Sequence, residues 1–296
     1  MLIRLGYDIQ FETIGEVPIV TLLEVHPSRK PDLREPDEMR VEPALKIQKY
    51  QDSFGNHSCR LIAPGGKLRF HNSTLIEDTG RPDEIGADAS ELAIAEMPVE
   101  VLPYLLNSRY CEVDLLANTA VELFGGLPLG WGRVQAICDW IHDKVQFGYR
   151  FANPVRTALG TYTERVGVCR DFQHLAITFC RALNIPARYG TGYLGDIGVP
   201  VDPNPMDFSA WFEAFLGDRW WTFDARHNIR RIGRVLMATG RDATDCAITT
   251  SFGRAKLTHF QVVTQEVNPT TGVETEPAIW IAPSPAPDPA STQRSL

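Results

Sequence analysis

The hydrophobic period of this chain changes twice, and that order limits the possible folds more than any other feature. Over the first 85 residues apolar side chains recur at every second position. Ile3, Leu5 and Tyr7 alternate with polar or small neighbours, and residues 19–25 form a second β-branched run. Residues 61–62, 68–70 and 74–76 read as further short strands, separated by Pro64-Gly65-Gly66 and by Asn72-Ser73. The middle of the chain turns helical. Trp131, Val134, Ile137, Cys138, Ile141 and Val145 keep the spacing of an amphipathic helix, and a second helix begins near Cys169. There Phe172, Leu175, Ala176, Phe179 and Leu183 share one face until Asn184 and Pro186 end it. Beyond it the period returns to two, over 187–194, 209–216, 219–226, 248–252 and 260–267. Strands, then helices, then strands predict an α+β protein rather than a doubly wound parallel sheet.

A length of 296 residues suits one large domain or two modest ones. The pattern divides it into a small β-sandwich-like domain over 1–85, a core over 86–267 and a C-terminal extension over 268–296. Four prolines within residues 282–289 predict a disordered tail. A hydrophobic share of 44% excludes wholesale disorder, and a net charge of -8 argues against nucleic acid as a partner. No apolar run approaches the ~20 residues of a membrane span. The first residues lack the apolar core and cleavage site of a signal peptide, so a soluble, cytoplasmic protein is expected. The sequence leaves the oligomeric state open.

The six cysteines fall at irregular spacings with no C-x-x-C pair. Neither a disulfide framework nor a zinc site is expected, and no metal or organic cofactor is implied. Cys169 stands apart because it opens a helix, within Arg165-Val-Gly-Val-Cys-Arg-Asp-Phe-Gln-His174. Gly167 gives the chain a flexible entry. In the first helical turn, unpaired N–H groups and the macrodipole favour an anion, which lowers a thiol pKa. The same amides can cradle an oxyanion, and Arg170 adds positive charge nearby. The bland alternative is a buried cysteine acting as a small hydrophobe. Cys180 fits that alternative: it lies about 16 Å further along the helix, among core residues. His174 points about 140° around the helix from Cys169, so a core or surface role is expected for it. Asp171 is expected to complement the helix N-terminus.

A thiolate nucleophile needs a base and a group that orients the base. Residues 207–228 offer the place to look. Gly217-Asp218 can close a two-residue hairpin, in which Trp211 faces Asp224 and Ser209 faces Arg226. Side-chain alternation puts those four residues on one face, with position 209 and Asp224 as diagonal neighbours.

These segments carry a resemblance. Gly167-Val-Cys-Arg-Asp-Phe, continuing through Leu175-Ala-Ile and Cys180-Arg-Ala-Leu-Asn-Ile-Pro-Ala-Arg-Tyr, resembles the cysteine motif of the bacterial transglutaminase-like superfamily. The hairpin resembles that family's second motif, a His-Ala-Trp-x-Glu strand followed by a strand ending in Asp, and residues 1–85 are similar to its bacterial N-terminal region. The resemblance implies a papain-like core, in which a helix bearing the nucleophile packs on an antiparallel sheet. It implies a cysteine protease, amidase or transglutaminase-like acyltransferase that acts on a peptide or amide substrate through a thioester. Carried over by position, Cys169 is the nucleophile and Asp224 the orienting acid. The family histidine falls on Ser209, and serine is no base near neutral pH. Of the remaining histidines, His227 lies nearest. In a regular strand it would point away from Asp224, so it can replace the base only if the strand bends or ends, as Asn228 favours. The alternative is a catalytically silent binding module marked by Ser209. A nucleophilic role for Ser209 itself is weaker, since no base stands at a suggestive spacing.

Overall fold

The structure, a computed structural model, describes residues 1–267. The expected disordered tail lies outside the described residues. Six strands come first: β1 (Leu2–Thr13), β2 (Val17–Thr21), β3 (Arg40–Glu42), β4 (Gln48–Gln51), β5 (His57–Ala63) and β6 (Gly66–Glu77). The helical middle holds α1 (Val113–Phe124), α2 (Trp131–Lys144), β7 (Gln146–Phe147), α3 (Ala158–Glu164), β8 (Val166–Gly167) and α4 (Cys169–Ala182). Strands β9 (Ala187–Tyr193), β10 (Ser209–Leu216), β11 (Arg219–Phe223), β12 (Val235–Gly240), β13 (Thr249–Ser251) and β14 (Ala255–Val267) follow. The α+β reading holds, and the sheets are antiparallel apart from the short β7–β8 pair.

Two four-stranded sheets, ordered β14-β1-β6-β3 and β13-β2-β5-β4, form the N-terminal layer. Each takes its outermost strand from the far end of the chain: β14 pairs along the length of β1, and β13 with β2. Residues 249–267 therefore belong to these sheets and not, as the sequence division had it, to the core that follows. A local apolar pattern identifies a strand but not a partner some 250 residues away. Residues 68–70 and 74–76 also fuse into one strand, β6, because Asn72 and Ser73 pair with Tyr7 and Gly6 instead of turning. Ile3, Leu5, Ile9, Ile19, Leu61 and Phe70 meet in the core of this layer.

The second layer is a sheet ordered β11-β10-β9-β12 with the helices packed on it. α4 lies against β9 and β10, burying Phe172, Leu175, Ala176 and Phe179 against Phe212, Ala214 and neighbouring groups. At about 1.5–3 kcal/mol for each large apolar side chain, this burial fixes the helix to the sheet. α1 joins the same core through Leu116, Ala120 and Phe124, spaced four apart on one face. The β10–β11 hairpin has the expected register, from Leu216 opposite Arg219 to Phe212 opposite Phe223, around Gly217 at φ 65°. β11 stops at Phe223, three residues short of the stretch read from the sequence.

Candidate active site

Cys169 is the first residue of α4, and extended Val168 leads into it. The helix start is built by Asp171, whose Oδ2 accepts the Val168 N–H at 3.0 Å. Arg156 and Arg170 flank this fully buried carboxylate at 3.4 and 3.1 Å, so it complements the helix N-terminus as expected. Gly167 is required for closeness more than for flexibility. A Cβ there would lie 2.7 Å from that of Asp171, nearer than atoms pack, and would displace the cap. Arg170 turns its guanidinium to Asp171 and to the Asn153 carbonyl.

Cys169 is partly exposed, whereas the other five cysteines are buried. It lines a cavity of about 80 Å³ together with Tyr149, Asp207, Ser209, Arg226 and His227. Burial pushes the thiol up, to about 12, and the Asp207 carboxylate adds to the effect. Arg226 and the backbone N–H of Arg170 pull the other way without prevailing. The expected depression by the helix terminus is thus outweighed in the resting cavity, and the thiol keeps its proton.

Asp224 follows the last residue of β11 and is buried. Its Oδ1 accepts from Gln173 Nε2 at 3.1 Å, from the Arg226 N–H at 3.0 Å and from the His227 N–H at 3.1 Å. Oδ2 meets Arg234 Nη2 at 2.9 Å and His227 Nδ1 at 2.8 Å. Burial opposes ionisation, but Arg234 and His227 overcome it and hold the carboxyl well below its usual range.

His227 reaches Asp224 because the strand has ended. Asn228 takes a left-handed φ of 51° and donates its N–H to the Asp224 carbonyl at 2.8 Å, closing a turn. The opposite-face geometry of a regular strand no longer applies. On its other edge, His227 Nε2 touches Arg226 Nη1. A guanidinium only donates, so Nε2 offers its lone pair and Nδ1 carries the proton given to Asp224. Arg226 also stacks over Phe147, 4.0 Å from the ring centroid, and its backbone carbonyl lies 2.9 Å from His142 Nδ1.

Ser209 opens β10, opposite Gly192, and lines the same cavity. It is not among the donors to Asp224, which are Gln173, Arg234 and the turn residues Arg226 and His227, and the β10–β11 pairing ends at Phe212 opposite Phe223, before it reaches Ser209. His174 is buried away from the thiol cavity, stacked on Tyr110 at 4.8 Å, with Nε2 accepting the Ala243 N–H at 3.1 Å. Burial holds it well below its ordinary pKa, so it is a neutral core residue. Tyr189 and Thr191 line a second cavity, of about 440 Å³, and Tyr193, on the same strand, is buried in the N-terminal core. Among the described residues no cluster of three or more His, Cys, Asp or Glu side chains is placed to hold a metal ion. No helix among them is long and apolar enough to cross a membrane.

Two contributors escaped the sequence reading. Gln173 is fully buried on α4, where its amide also donates to the Ala210 carbonyl at 3.2 Å and accepts the Ala225 N–H at 3.2 Å. A lone amide inside the apolar run 172–179 was the available signal. Arg234 joins Asp224 to Asp83 Oδ2, at 2.9 Å each, and gave no signal at all.

The description of the transglutaminase-like superfamily matches residues 118–225, which include Cys169, Ser209 and Asp224 and stop two residues before His227. An uncharacterised protein of Mycobacterium leprae is 29% identical over 222 residues, covering 70% of this chain and 77% of its own. A crystal structure from Cytophaga hutchinsonii, provisionally named a cysteine protease, shares 30% identity. It covers 95% of this chain and 94% of its own, with a TM-score of 0.78. Taken with a cysteine at the start of a helix packed on an antiparallel sheet, these likenesses show that the chain belongs to the bacterial transglutaminase-like superfamily.

Proposed function

We propose that the protein is a cysteine hydrolase or acyltransferase acting on amide bonds, with Cys169, His227 and Asp224 as its working groups. In this reading His227 Nε2 takes the thiol proton as Sγ attacks the amide carbonyl. The backbone N–H of Cys169, at the start of α4, helps hold the oxyanion. The imidazolium then protonates the departing amine, leaving a thioester that water or a second amine resolves. Asp224, held ionised by Arg234, keeps Nδ1 protonated and stabilises the imidazolium. Arg226 must first leave Nε2, which a substrate entering the cavity can bring about.

The observation that carries the reading is the 2.8 Å contact between Asp224 Oδ2 and His227 Nδ1, on a turn whose histidine shares a cavity wall with Cys169. Ser209 and the raised thiol favour the second reading, a silent binding module. Incubation with activated ester and amide probes, followed by intact mass measurement, separates the two. A Cys169-dependent acyl adduct that His227→Ala fails to form supports the enzyme. No adduct with any probe leaves the binding module.

A further inference from the structure

The thiol cavity has three carboxylates in its wall, and two of them have cations. Asp196 lies 3.6 Å from Arg231, and Asp202 lies 3.8 Å from Arg226. Asp207 has no cationic partner among the described residues; its residue surface is exposed, yet the groups packed around the carboxyl push it up to about 6, so it carries its charge at neutral pH. It also lies on the divide between the thiol cavity and the 440 Å³ cavity, lining both. That larger cavity presents Tyr110 and Tyr189 rings with the Thr191 and Thr244 hydroxyls, a wall that accepts an aliphatic chain and a polar end, and its one lining cation, Arg170, is already held by Asp171 and the Asn153 carbonyl. In the resting protein Asp207 works against the nucleophile, since its charge helps keep Cys169 protonated. A carboxylate that opposes the chemistry while empty is accounted for by a charge that arrives with the substrate.

We propose that Asp207 is the docking point for a positively charged group of the substrate, an ammonium carried close to the reacting amide. Docking there cancels the Asp207 field at the thiol, so a substrate of the right charge also eases loss of the thiol proton. The inference deepens the proposed function, which makes Cys169 the nucleophile, but it can be tested without turnover.

The probes are methanethiosulfonates of equal size bearing an ammonium, no charge or a sulfonate, with modification of Cys169 followed by mass. Both charged rates are normalised to the neutral one in the full-length protein, with Cys169→Ser as the blank. The ammonium-to-sulfonate ratio should fall about tenfold in Asp207→Asn, the scale of one charge a few ångströms away in a half-wet site, and recover in Asp207→Glu. A ratio that Asp207→Asn leaves unmoved overturns the proposal. Where acyl adducts form, the ammonium is placed in turn on the acyl group and on the acceptor amine. The arm whose kcat/KM falls in Asp207→Asn identifies the source of the charge, and a loss in neither arm overturns the proposal. If no probe acylates the protein, the enzyme reading fails while the thiosulfonate ratio still decides the role of Asp207.

Discussion

His227 Nδ1 stands 2.8 Å from Asp224 Oδ2, and only Ala225 and Arg226 separate the two residues in the chain. In the family motif the histidine lies on the neighbouring strand, at the position Ser209 occupies here. In this chain the imidazole that meets Asp224 stands on the turn that follows it. Asp224 directly follows β11, and the turn closed by Asn228 brings His227 back to it.

The first expectation concerns the base. His227→Ala should slow acylation of Cys169 by a factor on the order of 10²–10⁴ in single-turnover measurements with an ester probe. Ser209→His should bring no gain to the otherwise unaltered protein, because Asp224 already has its imidazole. In the His227→Ala background the same substitution should recover part of the rate. A gain from Ser209→His alone would mean that the resident histidine is idle.

Gln173 ties the helix opened by Cys169 to β10 and to the turn that follows β11, so removing its amide affects stability and geometry together. Gln173→Leu leaves the Ala225 N–H and the Ala210 carbonyl without their partner. At about 1–3 kcal/mol for a stranded buried group, urea titration should register a loss in that range or somewhat above it. Acylation by the ester probe should fall as well, since Asp224 loses one of its donors.

Arg234 has 7% of its side chain exposed and lies between Asp83 and Asp224. Arg234→Met strands two carboxylates, and a loss of about 3–5 kcal/mol follows from leaving a buried charge uncompensated. The pH dependence gives the sharper check. A carboxyl depressed in the fold contributes stability above the ordinary carboxylate range and loses it as the pH falls below that range. Without Arg234 the Asp224 pKa rises, so acid unfolding should begin at higher pH than in the parent.

His174 provides a second pH test of opposite cause. Its folded pKa is lowered by burial, so below about 6.5 the unfolded chain takes a proton that the folded chain refuses. Stability should therefore rise with pH through this window, by up to about 1.4 kcal/mol per pH unit for the one proton. His174→Gln, which keeps an acceptor for the Ala243 N–H, should flatten the slope of Tm between pH 6.5 and 5.

The place of Cys169 at a helix start was legible because such a start leaves a mark in one stretch of chain, the glycine, the cysteine and then the apolar stripe. The hairpin register was legible for a similar reason, since Gly217-Asp218 sets the turn and the turn sets every pairing back to Phe212 opposite Phe223. The closing strands β13 and β14 were read as strands but placed within the 86–267 segment rather than in the N-terminal sheets, because pairing across most of the chain length has no local signature. Arg234 was invisible for the same reason: its partners Asp83 and Asp224 are 151 and 10 residues away. The thiol pKa went astray through a sum of opposing effects. The helix terminus was readable, but the burial and the Asp207 carboxylate that outweigh it exist only once the loop before β10 folds over Cys169.

The turn from Asp224 to Asn228 has a further consequence for how the site tolerates change. Acid and imidazole share one short covalent segment, so a shift between neighbouring strands cannot separate them. Their alignment travels as a unit with the end of β11. What remains adjustable is a single coordinate, the gap between that segment and the start of α4. Gln173 bridges that gap from the helix side. A lineage carrying this arrangement can drift in β10, even at position 209, without misaligning the pair, while a change in how α4 seats on the sheet acts on the gap at once.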